Sequence, residues 1–217
     1  MKEAFTTVYE PGEGFYEEKH SRFFAFMVPL ASEEEALSYL AGLKKRYYDC
    51  SHVCYAYRLN TTPMTERSSD AGEPSGTAGL PILAVLRGSE ALDAGIFVVR
   101  YFGGTKLGTG GLSRAYGAAA REALSNAVLI EKRPGTLMKV TCDYSAHGKL
   151  RFLLDEMGLP VTGTAFTEQV ELTFLLPEEA RAAFTKKLND SFYGKLIPEE
   201  VENIYYGKTG DGETILL

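Results

Sequence analysis

Residues 96–127 have the sequence IFVVRYFGGTKLGTGGLSRAYGAAAREALSNA, and this stretch decides the fold of the N-terminal part of the chain. A continuous apolar segment leads through a loop with five glycines into an alanine-rich segment. This order predicts a strand, a glycine loop and a helix whose first N–H groups have no partner within the helix. Lys106 and Arg114 lie at or beside the same end, where the helix dipole favours anions over cations. The pattern therefore predicts an anion-binding site.

The composition is typical of a folded protein. The 217 residues are 45% hydrophobic and 24% charged, with a net charge of −6 and three cysteines. Residues 1–135 are nearly neutral and the remainder is acidic, so nucleic-acid binding would depend on a local basic patch. The odd number of cysteines and the lack of a signal sequence or long apolar segment predict a cytoplasmic protein without a membrane span.

A charged segment with a proline and a glycine, Glu131–Gly135 (EKRPG), is typical of a domain boundary. We therefore predict an N-terminal domain over residues 1–133, a second domain over 136–209 and a tail over 210–217. The second domain has the pattern βαββαβ, which is the ferredoxin-like split motif. Both domains are predicted to be two-layer α+β sandwiches of helices against a sheet.

The first domain alternates between strand and helix patterns. Ser32 precedes a helical segment with early glutamates and late basic residues, as an N-cap does. A second short helix is expected from Pro81 onward, because proline is tolerated in the first turn. We predict strands at TTVYEP, RFFAFMVPL, HVCYAYRL and IFVVRYF, helices at EEEALSYLAGLKKRY and PILAVLRG, and a loop throughout ERSSDAGEPSGTAG (residues 66–79).

The glycine loop is the first candidate site. It matches neither GxxxxGK[ST] nor GxGxxG, so it is neither a P-loop nor a Rossmann fingerprint. The glycine loop either binds an anion or an RNA backbone through its N–H groups, or its glycines only allow the positive φ values of a tight loop. Arg100 interrupts the apolar strand before the loop, and it either contacts the anion or forms an internal pair with Asp70 or Glu73. The candidate anion- or RNA-binding residues are Arg100, Gly103, Gly104, Thr105, Lys106, Gly108, Thr109, Gly110, Gly111 and Arg114.

The preceding loop supplies a second group of polar residues. Asp70 and Glu73 suit acid–base chemistry or a divalent cation, but carboxylates in such loops more often cap or form salt bridges. Ser75 and Thr77 suit the start of the following helix as caps. Ser75 as a nucleophile lacks the GxSxG elbow, so we predict no catalytic residue. The predicted supporting residues of the loop are His52, Asp70, Glu73, Ser75 and Thr77.

Cys50, His52 and Cys54 would project from one face of a strand. Spacing at every second residue is unusual for structural zinc, and small thiols are common in cores, so we predict no metal. His52 suits a catalytic base, a ligand contact or a hydrogen-bonded structural role. Tyr55 and Tyr57 either stack on bases or simply pack in the core.

The two loops together resemble a known family. SDAGEPSGTAGLPIL (residues 69–83) followed by VVRYFGGTKLGTGGLSRAYGAA (98–119) closely resembles the signature of the YigZ/IMPACT family, and KHSRFFAFMVPL and DCSHVCYAYR also fit its pattern. The resemblance covers nearly the whole N-terminal part, and the βαββαβ tail resembles the second domain of the bacterial members. Ala71 departs from the family pattern, which usually has a second acidic residue there, and Leu80 replaces a frequent lysine.

The resemblance implies both a fold and a role. It implies an N-terminal domain similar to domain IV of elongation factor G, of the ribosomal-protein domain 2-like type with a left-handed βαβ crossover, and a C-terminal domain similar to domain V. Eukaryotic members regulate translation, and bacterial members look like translation-factor mimics. We therefore expect a non-enzymatic translation regulator or accessory factor that binds RNA or the ribosome through the glycine loop.

Two other roles remain open. The same loop would suit an enzyme or a protein that binds a nucleotide or phosphometabolite, and the chain would also suit a protein-interaction module. The acidic second domain is expected to contact a protein partner. No cofactor and no membrane contact are expected, and the sequence leaves the oligomeric state open.

Overall fold

The structure is a computed structural model that describes residues 3–208 and 214–217. The expected two-domain α/β organisation is confirmed, because the chain divides into two compact units, Phe5–Ile130 and a unit that contains Glu131–Leu217. The N-terminal unit has strands β1 (Phe5–Glu10), β2 (Gly12–Glu18), β3 (Ser21–Pro29), β4 (His52–Leu59), β5 (Thr65–Ser69) and β6 (Ala94–Tyr101), and helices α1 (Glu33–Arg46), α2 (Gly79–Gly88) and α3 (Gly108–Ser125).

The sheet of the N-terminal unit is antiparallel in the order β2-β3-β6-β4-β5. Strand β6 lies at its centre and is almost wholly buried, as its continuous apolar sequence predicts. Across the sheet, Arg100 of β6 is in register with Phe23 of β3 and His52 of β4. The register therefore places the one charged side chain of β6 in the middle of the sheet, near the strand's end.

Helices cover both faces of this sheet, so the predicted two-layer arrangement is wrong for the N-terminal unit. Phe23, Ala25 and Met27 of β3 pack in the core of α2 and α3. Phe26 and Val28 of the same strand pack in a second core with α1. Successive side chains of β3 point to opposite faces of the sheet, and both sets are apolar. Both faces must therefore be covered by helices, which gives three layers.

Helix α3 packs closely on the edge strand β2 through small residues. Ala115, Ala119 and Ala123 of α3 are fully buried. A Cβ added at Gly12 or Gly14 would overlap with the backbone of α3 around Ala123. The strand β2 was not predicted, because its glycines and glutamates do not follow a strand pattern. The glycines are explained by the close approach of the helix.

Three segments differ from prediction. Residues 65–69 form β5, at the sheet edge, where polar side chains are tolerated, so the predicted loop over residues 66–79 is wrong in its first part. Helix α3 begins at Gly108, so three of the loop's glycines belong to its first turn. The segment Glu131–Gly135 lies inside a continuous strand and is not an irregular linker.

The C-terminal unit follows the predicted βαββαβ order. Its elements are β7 (Val128–Cys142, which begins in the N-terminal unit), α4 (Tyr144–Glu156), β8 (Val161–Phe166), β9 (Val170–Pro177), α5 (Arg181–Phe192), β10 (Glu199–Lys208) and β11 (Thr214–Leu216). The sheet order is β11-β10-β7-β9-β8 with antiparallel neighbours, and α4 and α5 bury one face. The predicted tail 210–217 contains β11, while its residues 210–213 lie outside the described residues.

Helix α5 begins at Arg181. Pro177 ends β9, and a short 3₁₀ turn over Glu178–Ala180 precedes the helix. Helix α4 is capped by Asp143, whose carboxylate accepts from Ala146 N at 2.7 Å. Among the helices in the described part of the chain, none is long and apolar enough to cross a membrane.

Candidate functional site

The end of β6 holds a buried ion pair. Arg100 is 5% exposed, and its Nη1 donates to Glu73 Oε1 at 2.5 Å. Tyr116 of α3 donates its hydroxyl to the same carboxylate oxygen at 2.7 Å. Burial raises the pKa of Tyr116, so the phenol stays protonated and remains a donor. Of the two alternatives for Arg100, the structure therefore shows the internal pair, and its partner is Glu73.

The guanidinium of Arg100 is not fully satisfied. Its Nη2 lies 3.4 Å from Ser21 Oγ, and its central carbon lies 5.5 Å from the centre of the Phe23 ring. Its Nε has no hydrogen-bond partner within residues 3–208 and 214–217. An unpaired buried donor costs about 1–3 kcal/mol, and such groups are uncommon in native proteins. Within the described residues, Arg100 Nε is thus the one buried side-chain nitrogen or oxygen that lacks a hydrogen-bond partner.

Asp70 organises the loop before α2. Its Oδ2 accepts from Gly76 N at 2.8 Å, and its Oδ1 accepts from Ala78 N at 2.9 Å and Gly79 N at 2.8 Å. Burial of the carboxylate works against its ionisation, but the three N–H donors outweigh it and hold the pKa of Asp70 below its usual value. Asp70 therefore supplies the acceptors at the start of α2.

The two hydroxyl residues expected at this position act differently. Thr77 is buried and donates to Pro74 O at 2.6 Å, while Ser75 is exposed. Residue Ala78 occupies the N-cap of α2, so the interpretation of Ser75 and Thr77 as helix caps is wrong. The acceptor comes from Asp70, eight residues earlier in the chain, because the loop folds back over the helix start.

His52 bridges the loop and the ion pair. Its Nδ1 lies 2.9 Å from the carbonyl oxygen of Ala71 and must donate to it, and its Nε2 lies 3.9 Å from Glu73 Oε1. The thiol of Cys54 lies 3.0 Å from the Asp70 carbonyl oxygen and 3.3 Å from the Tyr116 hydroxyl. Burial raises the pKa of Cys54 to about 12, so the group is a neutral thiol.

The cysteines of this region do not converge. Cys54 packs in the core of α2 and α3, and Cys50 packs against the core on the α1 side. Over the residues that the structure describes, no group of three or more histidines, cysteines or carboxylates could hold a metal ion.

Tyr55 and Tyr57 stack on each other with their ring centres 6.0 Å apart, and both pack in the core on the α1 side.

The N-terminus of α3 is exposed and lacks a side-chain cap. Leu107 occupies the N-cap, and within the described residues the cap has no side-chain hydrogen bond and the first turn has no acidic residue. Gly104 and Gly108 have φ values of 82° and 73°, which favour glycine. The amides of the first turn are thus open to an anion.

The two predicted cations lie at this helix end. Lys106 and Arg114 are both exposed. A Cβ added at Gly110 would lie 3.7 Å from Arg114 Nη1, so the guanidinium points back toward the helix start. Thr105 and Thr109 are exposed beside them. Gly103 instead has a structural role, because a Cβ there would overlap with the backbone of the β2–β3 turn.

A cavity of about 340 Å³ joins the ion pair to this helix end. It brings together five of the fifteen predicted residues. The other ten do not line it, namely His52, Asp70, Ser75, Thr77, Gly103, Gly104, Thr105, Gly110, Gly111 and Arg114. Its lining is Glu73, Pro74, Arg100, Phe102, Lys106, Leu107, Gly108, Thr109 and Leu112. Phe102, which is 50% exposed, was not predicted as a site residue. The sequence signal that could have indicated it is an aromatic residue directly before a pair of glycines.

Comparison with known proteins gives concordant matches. Residues 19–124 match the Impact N-terminal domain, and residues 140–195 match a domain of unknown function, DUF1949. The IMPACT family member YvyE of Bacillus subtilis is 34% identical over 96% of both chains. The IMPACT family member YigZ of Escherichia coli is 34% identical over 82% of this chain and 88% of its own.

Two solved structures are similar to this one. A crystal structure of a hypothetical protein has 32% identity and a TM-score of 0.60, and the match covers 93% of this chain and 99% of the other. The two-domain translational regulator Yih1 is a more distant likeness, with 24% identity and a TM-score of 0.36 over 56% of this chain and 47% of the other.

Proposed function

The chain belongs to the IMPACT family, and from this premise we propose that it is a translation-related regulator or accessory factor that binds RNA or the ribosome. The binding segment is the first turn of α3 together with the glycine-rich residues before it. The proposal rests on one observation, which is the exposed, uncapped N-terminus of α3 with Lys106 and Arg114 beside it.

This arrangement suits the phosphates of an RNA backbone. Backbone N–H groups at a helix start and flanking cations are common phosphate contacts. The nearby carboxylates would repel a phosphate only weakly, because Asp70 is engaged by three N–H groups and Glu73 by Arg100. The first-turn amides, Lys106 and Arg114 would therefore favour an anion at this place in a chain that is acidic as a whole.

The family resemblance supports the proposed action at the ribosome. The resemblance implies an N-terminal domain similar to domain IV of elongation factor G, with a left-handed crossover, and a C-terminal domain similar to domain V, and such domains would suit a factor that acts at the ribosome. A cytoplasmic location is part of the same proposal. The acidic C-terminal unit would be repelled by RNA, and we assign it a protein partner.

The test is the salt dependence of RNA binding. Fluorescence anisotropy with a labelled structured RNA is measured over a series of salt concentrations for the unmodified chain, Lys106→Ala and Lys45→Ala. Lys45 is an exposed lysine of α1 and gives the same change in net charge far from the proposed segment in sequence. Log affinity falls as log salt rises, and we expect this negative slope to become shallower by about 0.7–0.9 in Lys106→Ala but to stay unchanged in Lys45→Ala. Salt-independent binding, or no binding of any RNA, would contradict the proposal.

A second candidate is an enzyme or binding protein for a small phosphorylated ligand. The cavity of about 340 Å³ favours it, because small-ligand sites have volumes of about 300–1,000 Å³. A nucleotide or phosphometabolite at 100 times its dissociation constant would then stabilise the chain by about 2.7 kcal/mol, which thermal unfolding detects. A metabolite screen without any stabilisation would remove this candidate.

A third candidate is a protein-interaction module. Exposed aromatic side chains on the C-terminal unit favour it, namely Tyr144, Phe152 and Phe166. Under this candidate, neutralisation of Lys106 and Arg114 together would leave the partners in a pull-down unchanged. Loss of the partners in that double variant would contradict it.

A further inference from the structure

The cavity beside α3 has a chemistry that a phosphate contact alone does not use. We infer that it accepts one unstacked nucleotide of a single-stranded RNA, with the phosphate at the α3 N-terminus and the base inside the cavity. This inference rests on the proposed RNA binding and adds the class of RNA, which is single-stranded or looped and not duplex.

The walls of the cavity suit the flat face of a base. Apolar side chains make up much of the lining, which includes Pro74, Phe102, Leu107 and Leu112. Phe102 is 50% exposed at this surface, and the guanidinium carbon of Arg100 lies 5.6 Å from the centre of its ring. Unpaired bases stack on aromatic rings and guanidinium planes, whereas backbone phosphates gain nothing from an apolar wall.

The cavity lining holds two kinds of polar group, as a nucleotide does. Lys106 and the backbone of Gly108 and Thr109, at the start of α3, suit the phosphate. The pair of Glu73 and Arg100 also lines the cavity, and it offers a carboxylate acceptor and a guanidinium donor to the edge of a base.

Arg100 gives an independent indication that the cavity has a ligand. The residue is 5% exposed and lines the cavity, yet its Nε has no acceptor among the residues that the structure describes. The charge itself is neutralised by Glu73, but a buried donor without an acceptor costs about 1–3 kcal/mol, and a ligand in the cavity would supply the missing acceptor.

A duplex does not fit this arrangement. The bases of an A-form helix are stacked and paired, so a duplex presents phosphates and ribose hydroxyls to the protein and would leave the cavity unused. A single strand or loop can turn one base out of the stack at little cost. The combination of an apolar cavity with an anion-favouring helix end therefore selects the single strand.

The experiment compares three ligands by fluorescence anisotropy. The first is a labelled oligouridylate of about twelve nucleotides, a length within the site sizes of single-strand binders. The second is the same strand annealed to oligoadenylate, and the third is free uridine monophosphate, which is added as a competitor. The variants are Phe102→Ala, Lys106→Ala and the control Phe152→Ala, which removes a similarly exposed aromatic ring from α4. Far-UV circular dichroism checks that each variant is folded.

We expect the single strand to bind more tightly than the duplex. Phe102→Ala should weaken single-strand binding about 5- to 150-fold, the range of one lost stacking contact, and leave duplex binding unchanged. Lys106→Ala should weaken both, and Phe152→Ala neither. Equal affinity for both RNAs with no effect of Phe102→Ala would overturn the inference, while Lys106-dependent binding would leave the proposed function standing.

The remaining outcomes are also decisive. If uridine monophosphate competes as well as an equal concentration of oligouridylate, the ligand is a free nucleotide and the assignment to RNA is overturned. If neither RNA binds at any salt concentration, the proposed function fails, and the inference fails with it.

Discussion

Removal of the carboxylate that neutralises Arg100 should destabilise the N-terminal unit strongly. The side chains of Glu73 and Arg100 are 3% and 6% exposed, so Glu73→Ala leaves a largely buried guanidinium without its counter-ion. Loss of one partner of a buried pair costs about 3–5 kcal/mol. We expect a loss of about 3 kcal/mol, the lower end, because Arg100 borders a cavity that water can enter.

The measurement must follow the N-terminal unit, because the two units need not unfold together. Native-state hydrogen exchange at Val98 and Val99, in the buried centre of β6, reports the opening free energy of this unit. A loss below about 1 kcal/mol in Glu73→Ala would refute the argument, since it would mean that the pair is solvated and not buried.

A double variant separates the ion pair from simple packing. Arg100→Met alone leaves the Glu73 carboxylate without its cation, and Glu73→Ala combined with Arg100→Met removes both charges. The combined loss should be smaller than the sum of the single losses by about 2 kcal/mol. Strict additivity would show that the two side chains stabilise the fold independently.

Three further predictions follow from the same region. Asp70→Asn should lower stability at neutral pH and flatten its pH dependence in acid. The lowered pKa of Asp70 stabilises the native state above the usual value near 3.8, and this contribution is lost as the pH falls through the lower native pKa; unchanged acid denaturation would contradict this. Gly103→Ala should cost about 1–3 kcal/mol in urea unfolding because its Cβ would overlap with backbone atoms, whereas Gly104→Ala should cost only about 1 kcal/mol from its positive φ, and the reverse order would be inconsistent with the packing. Iodoacetamide at pH 8 should label Cys50 faster than Cys54 in the native chain. Burial raises the pKa of both thiols, but Cys50 is only partly buried, whereas Cys54 is fully buried and has a pKa of about 12; native labelling of Cys54 faster than unfolding would refute this.

Local patterns in the sequence were sufficient where the structure depends on near neighbours. The order of apolar run, glycines and alanine-rich segment predicted β6 and α3, because strand and helix periods are local properties. Ser32 was predicted as a helix cap and accepts from Glu35 N at 3.2 Å. The βαββαβ order of the C-terminal unit was predicted on the same grounds.

Other features depend on contacts between distant residues. The partner of Arg100 remained open in the sequence because Asp70 and Glu73 lie only three residues apart, and only the fold of their loop sends one to the α2 amides and the other to Arg100. Strand β2 was missed because its glycines are explained by the close approach of the α3 backbone, which a strand pattern in the sequence does not show. The cavity was missed because its lining comes from three separate stretches of the chain, residues 73–74, 100–102 and 106–112, which only the fold brings together.

The most direct test of the account is to locate the ligand on the chain itself. A ¹⁵N-labelled sample is titrated with oligouridylate, and the backbone amide resonances are followed by NMR. The account predicts that the largest shifts fall on the amides of Gly108–Gly111 at the start of α3, with smaller shifts at Phe102 and Lys106. Saturable shifts confined to other parts of the chain, with those amides unchanged, would contradict it.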